Sequence, residues 1–440
     1  MLVKYSRKST IDLIVKITIV LLFATNICFS QAVKTIDTIN HDFRKATEVF
    51  YLTKVTASEK SYDQIDDRKI RKYILESHKD FKESFLVKIK KGRFVNDNRY
   101  ENLATELFSK IQKANPEIAD VKILFSLGTS ANAYNFGEDI VVVYLKLLQE
   151  LENKNQLGFI LCHEIGHQML QHSKKSILKF ATQSFSESVK ATTKAISKAR
   201  YNKGELAREA SKKILYGNAA QRRKAEIEAD SIGLLFYKKA FPDAKKEALT
   251  TMELLDKMDL QKDSLTPKDF ENFFGSAKQP FKQHWILNDE LKNYQYQKGS
   301  KFFEIDSLKS HPDCADRIKI LKKFDGSLET SIATNKTVDF DDFKNQTKYD
   351  VLFGLHFIKN YGDSLYETLL MLKKNPGDAF LKNMVYENLV KIQEAQKTYT
   401  LAKHLETADP QNYNDYNMFL YFIRQLRKTE LENIIEIYKP

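Results

Sequence analysis

Between Leu161 and His167 the chain reads Leu-Cys-His-Glu-Ile-Gly-His, two imidazoles four residues apart with a carboxylate beside the first. On a helix, residues at this spacing share a face and stand about 5–6 Å apart, so His163 and His167 can bind one metal ion while Glu164 projects next to it. A metal held in this way, with a carboxylate in reach of a water molecule, is equipped to hydrolyse amide bonds.

A catalytic zinc takes three protein ligands and keeps its fourth position for water, so two histidines leave the site one ligand short. The candidate for the third lies downstream in Glu226-Ile-Glu-Ala-Asp230. Glu226 and Asp230 fall on one helical face and Glu228 lies about 200° round from them, so Glu226 can ligate while Asp230 braces a ligand histidine through its second ring nitrogen. Alone, the segment would be an ordinary acidic helix surface; its place after His-Glu-x-x-His is what favours the ligand. His172 returns to the Leu161 side of the same helix and is read as a packed or hydrogen-bonded histidine, not a ligand.

These side chains need elements to hold them. The spacing predicts a helix from near Asn155 to about His172, with Leu157, Leu161, Ile165 and Met169 as its buried stripe and the two histidines turned into a cleft. Gly166 inside it marks a close approach of a strand or of substrate. Strand patterns at Val121–Phe125, Asn132–Gly137 and Ile140–Tyr144 predict a small sheet just before that helix. Its edge either adds an extended substrate by main-chain hydrogen bonds or simply braces the helix. Residues 33–115 read as packing helices, and the basic, Ala- and Ser-rich stretch 174–216 as a solvated helical excursion between the two halves of the site. Phe270, Phe273, Phe274, Phe281 and Trp285 read as core or cleft wall.

Composition narrows the class. Only 14 Gly and 8 Pro in 440 residues suit long helices better than a turn-rich β fold. The net charge of +12 comes without any nucleic-acid motif, so nucleic acid is not an expected partner; attraction to an anionic membrane surface or to acidic substrates stays open. Lys4, Arg7 and Lys8 followed by the apolar run Ile17–Phe29 and small residues at Cys28 and Ser30 predict a secretory signal peptide over residues 1–30, with an uncleaved anchor as the alternative. Cys162 and Cys314 then remain, and are read as two separate buried thiols, with a bridge between them as the alternative. The polar stretch 325–348 reads as a linker, and 349–440 as a helical unit, either tetratricopeptide-like or a plain bundle.

Several motifs together resemble the zinc metallopeptidase family that includes HtpX, the CAAX prenyl endopeptidases and the periplasmic protease and chaperone BepA. They are Asn132-Ala133, Ile140–Tyr144, Leu147-Leu148, His163-Glu-Ile-Gly-His167 with His172, Glu226-x-x-Ala-Asp230, and Ser310-His311-Pro312 leading to Arg317-Ile318. The resemblance covers about residues 110–325 and is nearest to the soluble exported branch. It implies one zinc ion on His163, His167 and Glu226, with Glu164 as catalytic base and Asp230 in support. It further implies that His311 stands near the metal, as a reversible ligand or transition-state donor, although His311-Pro312 could simply begin the next helix.

The fold class expected is therefore α+β and mainly helical. A gluzincin-type metallopeptidase domain at 31–324, with its sheet before the zinc helix, is followed by the linker and a C-terminal helical domain. The function expected is an exported metalloendopeptidase hydrolysing misfolded or envelope proteins in the periplasm or another extracytoplasmic space. Protein or peptide substrates, envelope-protein partners on 349–440 and peripheral membrane contact complete the picture. The alternative is an envelope chaperone or assembly factor with little proteolysis, working through its C-terminal helices.

Overall fold

Helices with one apolar stripe build most of the chain. Tyr100, Leu103, Leu107 and Ile111 recur at three- and four-residue spacing in Asn98–Ala114 and are its buried face, while Asp97 caps the first turn by accepting from the Arg99 amide. The computed structural model describes residues 36–440 apart from 200, 259–262, 287–313, 335–336 and 409–414, and these residues belong to one unit. The expected signal peptide and His311 lie outside the described residues. No helix among those described is long and apolar enough to cross a membrane.

Helices α1 (His41–Ser61) and α2 (Arg68–Lys90) lead into α3 (Asn98–Ala114) and a three-stranded sheet of β1 (Lys122–Ser126), β2 (Ala133–Gly137) and β3 (Ile140–Tyr144). The strand order is β1-β3-β2, with β1 parallel and β2 antiparallel to β3, so β2 is an edge. The β2–β3 turn is Glu138-Asp139, both in the left-handed region at φ 54° and 58°, where a tight hairpin favours Asn-Gly. Here the side chains are used as tethers. Glu138 lies 3.1 Å from His78 on α2, and Asp139 meets Lys54 on α1 and Gln168 at 2.7 Å each.

The zinc-motif helix α4 spans Lys154–Met169 and is capped by Asn153, whose side chain accepts from the Asn155 and Gln156 amides. It is buried all round from Gln156 to Gly166, enclosed by the sheet and neighbouring helices. It ends before His172 because Gln171 turns left-handed at φ 54°, and Met169 is exposed instead of completing the stripe. The basic stretch is broken into α5 (His172–Ser184) and α6 (Glu187–Lys198), and the latter buries no residue. A 38-residue helix, α7 (Lys203–Ala240), then runs back across α4. The close approach at Gly166 is to this helix, neither to a strand nor to substrate. A Cβ at Gly166 would lie 2.9 Å from the Ala229 carbonyl, and one at Gly233 2.9 Å from His163 Cα.

Helix α8 (Glu247–Lys257) closes the other side of α4, followed by α9 (Pro267–Phe274) and α10 (Cys314–Phe324). Cys162 and Cys314 are not joined by a disulfide; Cys162 is buried, whereas Cys314 is only part-buried, unlike the buried thiol expected there. The aromatic cluster on and after α9 is core, but of a second apolar centre: Phe270, Phe274 and Trp285 pack with Phe422 and the C-terminal helices. Those helices are α11 (Val338–Phe357), α12 (Tyr361–Lys374), α13 (Ala379–Lys397), α14 (Asp415–Gln425) and α15 (Lys428–Tyr438).

The expected linker is in part the first half of α11. Thr337 caps that half and Phe340 buries into the same core as Leu161 and Ile165. Further along, Val351 and Leu355 stay in that core while Leu352 enters the second. Asp350, 1% exposed, accepts from Tyr100 at 2.6 Å and pairs with Arg99 at 2.9 Å, which fastens α11 to α3.

Candidate metal centre

The four-residue spacing on α4 turns the His163 and His167 rings toward α7, where Glu226 comes up between them. The two Nε2 atoms are 3.1 Å apart, and Glu226 oxygens lie 3.5 Å from His163 Nε2 and 3.4 Å from His167 Nε2. Among the described residues these three are the group that offers a metal converging donors, all within 4.8 Å of one another. Zinc bonded tetrahedrally at about 2.0–2.1 Å requires donor atoms about 3.3 Å apart, a spacing that the two Nε2 atoms and the Glu226 oxygen nearest each of them approach.

The charge balance fits as well. His163 Nδ1 lies 2.9 Å from Asp230 Oδ1, a close approach that falls short of an in-line hydrogen bond. Burial works against a charged His163, yet contacts with Asp230 and Glu226 together outweigh it and push its pKa up to about 10. The site thus draws positive charge into a space surrounded by Glu164, Glu226 and Asp230, and a divalent cation meets that demand. Asp230 is itself held ionised against burial by Arg317 on α10, which donates to both of its oxygens at 2.7 and 2.6 Å.

His167 has its own support. Its Nδ1 lies 2.9 Å from His172 Nδ1, and His172 Nε2 lies 3.2 Å from Glu228 Oε2. With His167 Nε2 directed at a metal, its Nδ1 carries the proton and donates to His172, which in turn donates to Glu228. Glu228 therefore points away from the metal as its helical position requires, but still acts on it through two rings.

Glu164 sits beside the ligands under the β2 edge. Its Oε2 accepts from the Asn135 amide at 2.7 Å, while the Asn135 side chain donates to the Glu164 carbonyl at 3.2 Å and to Gln168 at 3.0 Å. Burial raises the Glu164 pKa, which favours proton uptake by this carboxylate. A cavity of about 480 Å³ opens over the group, walled by Asn135 on the sheet side and by Phe159, Ile160, Met252 and Leu255 on the other.

Helix-embedded histidines beneath a sheet edge, a carboxylate ligand from a second helix and an adjoining buried glutamate define a zinc metallopeptidase, a peptide-bond hydrolase. The model of Peptidase family M48 matches residues 97–325, more than half of the chain, and the protein belongs to that family. No curated protein matches it.

The structure thus gathers His163, Glu164, His167, Glu226 and Asp230 in one place. Sequence reasoning gave no role to Asn135 or to Glu228, and Arg317 entered only as part of a motif. Arg317 pairs with Asp230 across two helices, and no spacing within the sequence singles it out.

Proposed function

We propose that the protein is an exported zinc endopeptidase acting on extended segments of misfolded or envelope proteins, with Glu164 as its general base. The observation that carries the reading is the meeting of three metal donors with a buried glutamate beneath an edge strand. His163, His167 and Glu226 hold the ion, and when bound it supplies Lewis-acid polarisation and a water of lowered pKa. Glu164 takes a proton on its carboxylate oxygens from the attacking water and returns it to the leaving nitrogen. Asn135 fixes the position of that carboxylate through its amide. Asp230 with Arg317, and His172 with Glu228, keep the two ligand rings oriented.

Export is supported by the basic residues Lys4, Arg7 and Lys8 ahead of the apolar run Ile17–Phe29. The C-terminal helices are the proposed surface for envelope partners. Purified mature protein is expected to cleave an unfolded protein, to stop on chelation and to recover with zinc. Glu164→Gln should fold, bind zinc and lose about 10²–10⁴-fold in kcat. Undiminished cleavage by that variant would overturn the assignment of Glu164. Full function of the same variant in cells would favour the chaperone reading. A chain beginning at Gln31 by mass spectrometry would exclude the uncleaved anchor.

A further inference from the structure

A second cavity, of about 580 Å³, lies beside β2 and reaches from the α1–α2 side of the sheet to His167, which also lines the cleft. Six aromatic side chains line it, Tyr51, Tyr62, Phe81, Tyr134, Phe136 and Tyr144, among polar and charged ones that include Lys88 and Glu138. The reaction described above uses none of these side chains, and the space is of the size that holds small ligands or side chains.

The strand geometry connects this chamber to the reaction. Tyr134 is the register partner of Val142, and the Tyr144 amide donates to the Asn132 carbonyl, so Asn132 and Tyr134 turn their backbone groups toward β3. Ala133 and Asn135 turn theirs to the opposite side, where the Asn135 amide already meets Glu164. An extended peptide laid along that side would pair with outward backbone groups of β2 other than the Asn135 amide, which Glu164 holds, and its side chains would alternate between two faces. One face is that of Asn135 and α4. The other carries Tyr134 and Phe136, which pack with Tyr51 and Phe85, and opens into the chamber.

We propose that this chamber is a specificity pocket that takes an aromatic side chain, tyrosine or phenylalanine, of the peptide substrate. The inference rests on the peptidase reading of the β2 edge. The lining selects the class. Ring walls favour a ring by tilted and edge-on contacts. Lys88 Nζ stands 5.8 Å from both the Tyr134 and Phe136 ring centroids, which suits another π face and opposes a basic side chain. His78 is held by Glu138 through Nε2 at 3.1 Å and faces Glu59 through Nδ1 at 4.0 Å, so its ring is fixed at the chamber wall. Phe81, 54% exposed at the chamber wall, offers an incoming ring its first apolar contact.

The test uses the zinc-loaded full chain and quenched fluorescent peptides of Ala, Ser and Thr, in which one Tyr, Phe, Leu or Lys is walked through each position around the cut bond. Tyr or Phe at one position should raise kcat/KM about tenfold or more over the Ala peptide, as expected for burying a large apolar side chain. Leu should gain less and Lys nothing. Two variants that fill the chamber from different walls, Ser84→Trp and Ser176→Trp, should each bring the ratio of aromatic to Ala peptide toward one. Because the ratio is taken within one variant, general loss of folding does not imitate the result. Cleavage of the Ala peptide without aromatic preference at any position, or a preference that survives both filling variants, overturns the pocket and leaves the peptidase intact. Failure to cleave any peptide overturns both.

Discussion

Arg317 and Asp230 form a two-point pair at 2.7 and 2.6 Å behind the metal centre, with Asp230 Oδ1 also 2.9 Å from the His163 ring. The pair joins α10 to α7 and sets the position of a ligand on α4, so three helices meet at one carboxylate. Replacing Arg317 by Met leaves Asp230 buried without its main partner and should cost about 3–5 kcal/mol of stability. Arg317→Lys should recover little, since an ammonium cannot make both bonds at once. Chemical denaturation of the two variants checks this, and wild-type midpoints for Arg317→Met would refute it.

His172 and Glu228 reach the metal only through His167. His172→Ala or Glu228→Gln should weaken zinc binding about 10–100-fold with little change in fold. Competition with a chromophoric chelator measures the affinity directly, apart from turnover. Unchanged affinity in both variants would show that the His167 ring needs no support.

Two glycines set how closely α4 and α7 cross. Gly166→Ala and Gly233→Ala each place a methyl group 2.8–2.9 Å from atoms of the facing helix and should destabilise by about 1–3 kcal/mol. Gly217 lies in the same long helix with nothing within 4 Å of a Cβ, and Gly217→Ala should stabilise by up to about 1 kcal/mol. Thermal melts of the three variants test the opposite signs side by side.

Lys238 on α7 pairs with Asp325 just past α10, and this contact with Ser327 holds the Asp325 pKa down to about 2. A depressed carboxylate stabilises the fold above its unfolded pKa of about 3.9 and loses that contribution as pH falls toward 2. Asp325→Asn should therefore be less stable than wild type by a constant margin above about pH 5, and the margin should vanish in acid. Urea midpoints from pH 2 to 7 supply the comparison.

How much of this was legible in the sequence depended on whether a residue's partner lay on its own helix. His163, Glu164, His167, Glu226 and Asp230 could be placed because helical periodicity relates them two or three at a time. Asn135 and Arg317 could not, since they come from a strand and a helix that tertiary packing brings to the site. The end of α4 was misjudged because a left-handed Gln171 breaks a pattern that otherwise continues through His172. The supposed linker looked polar because α11 has a solvated side as well as the face carrying Phe340 and Thr347. Of the two readings open for the aromatic cluster around Phe270 and Trp285, core or cleft wall, the structure shows core. Its sequence neighbours gave no sign that its companions lay more than a hundred residues further on.

Helix α11 also fixes the order in which the molecule becomes whole. A chain emerges from its N-terminus, so α4 and α7, with His163, His167 and Glu226, are made before the helix whose Phe340, Val351 and Leu355 complete their core. The same helix then needs α12 and α13 to cover its other side. A chain interrupted after α10 would carry the chemistry of a peptidase without the packing that aligns it. The core around the metal donors is therefore complete only once residues 340–355 have been added.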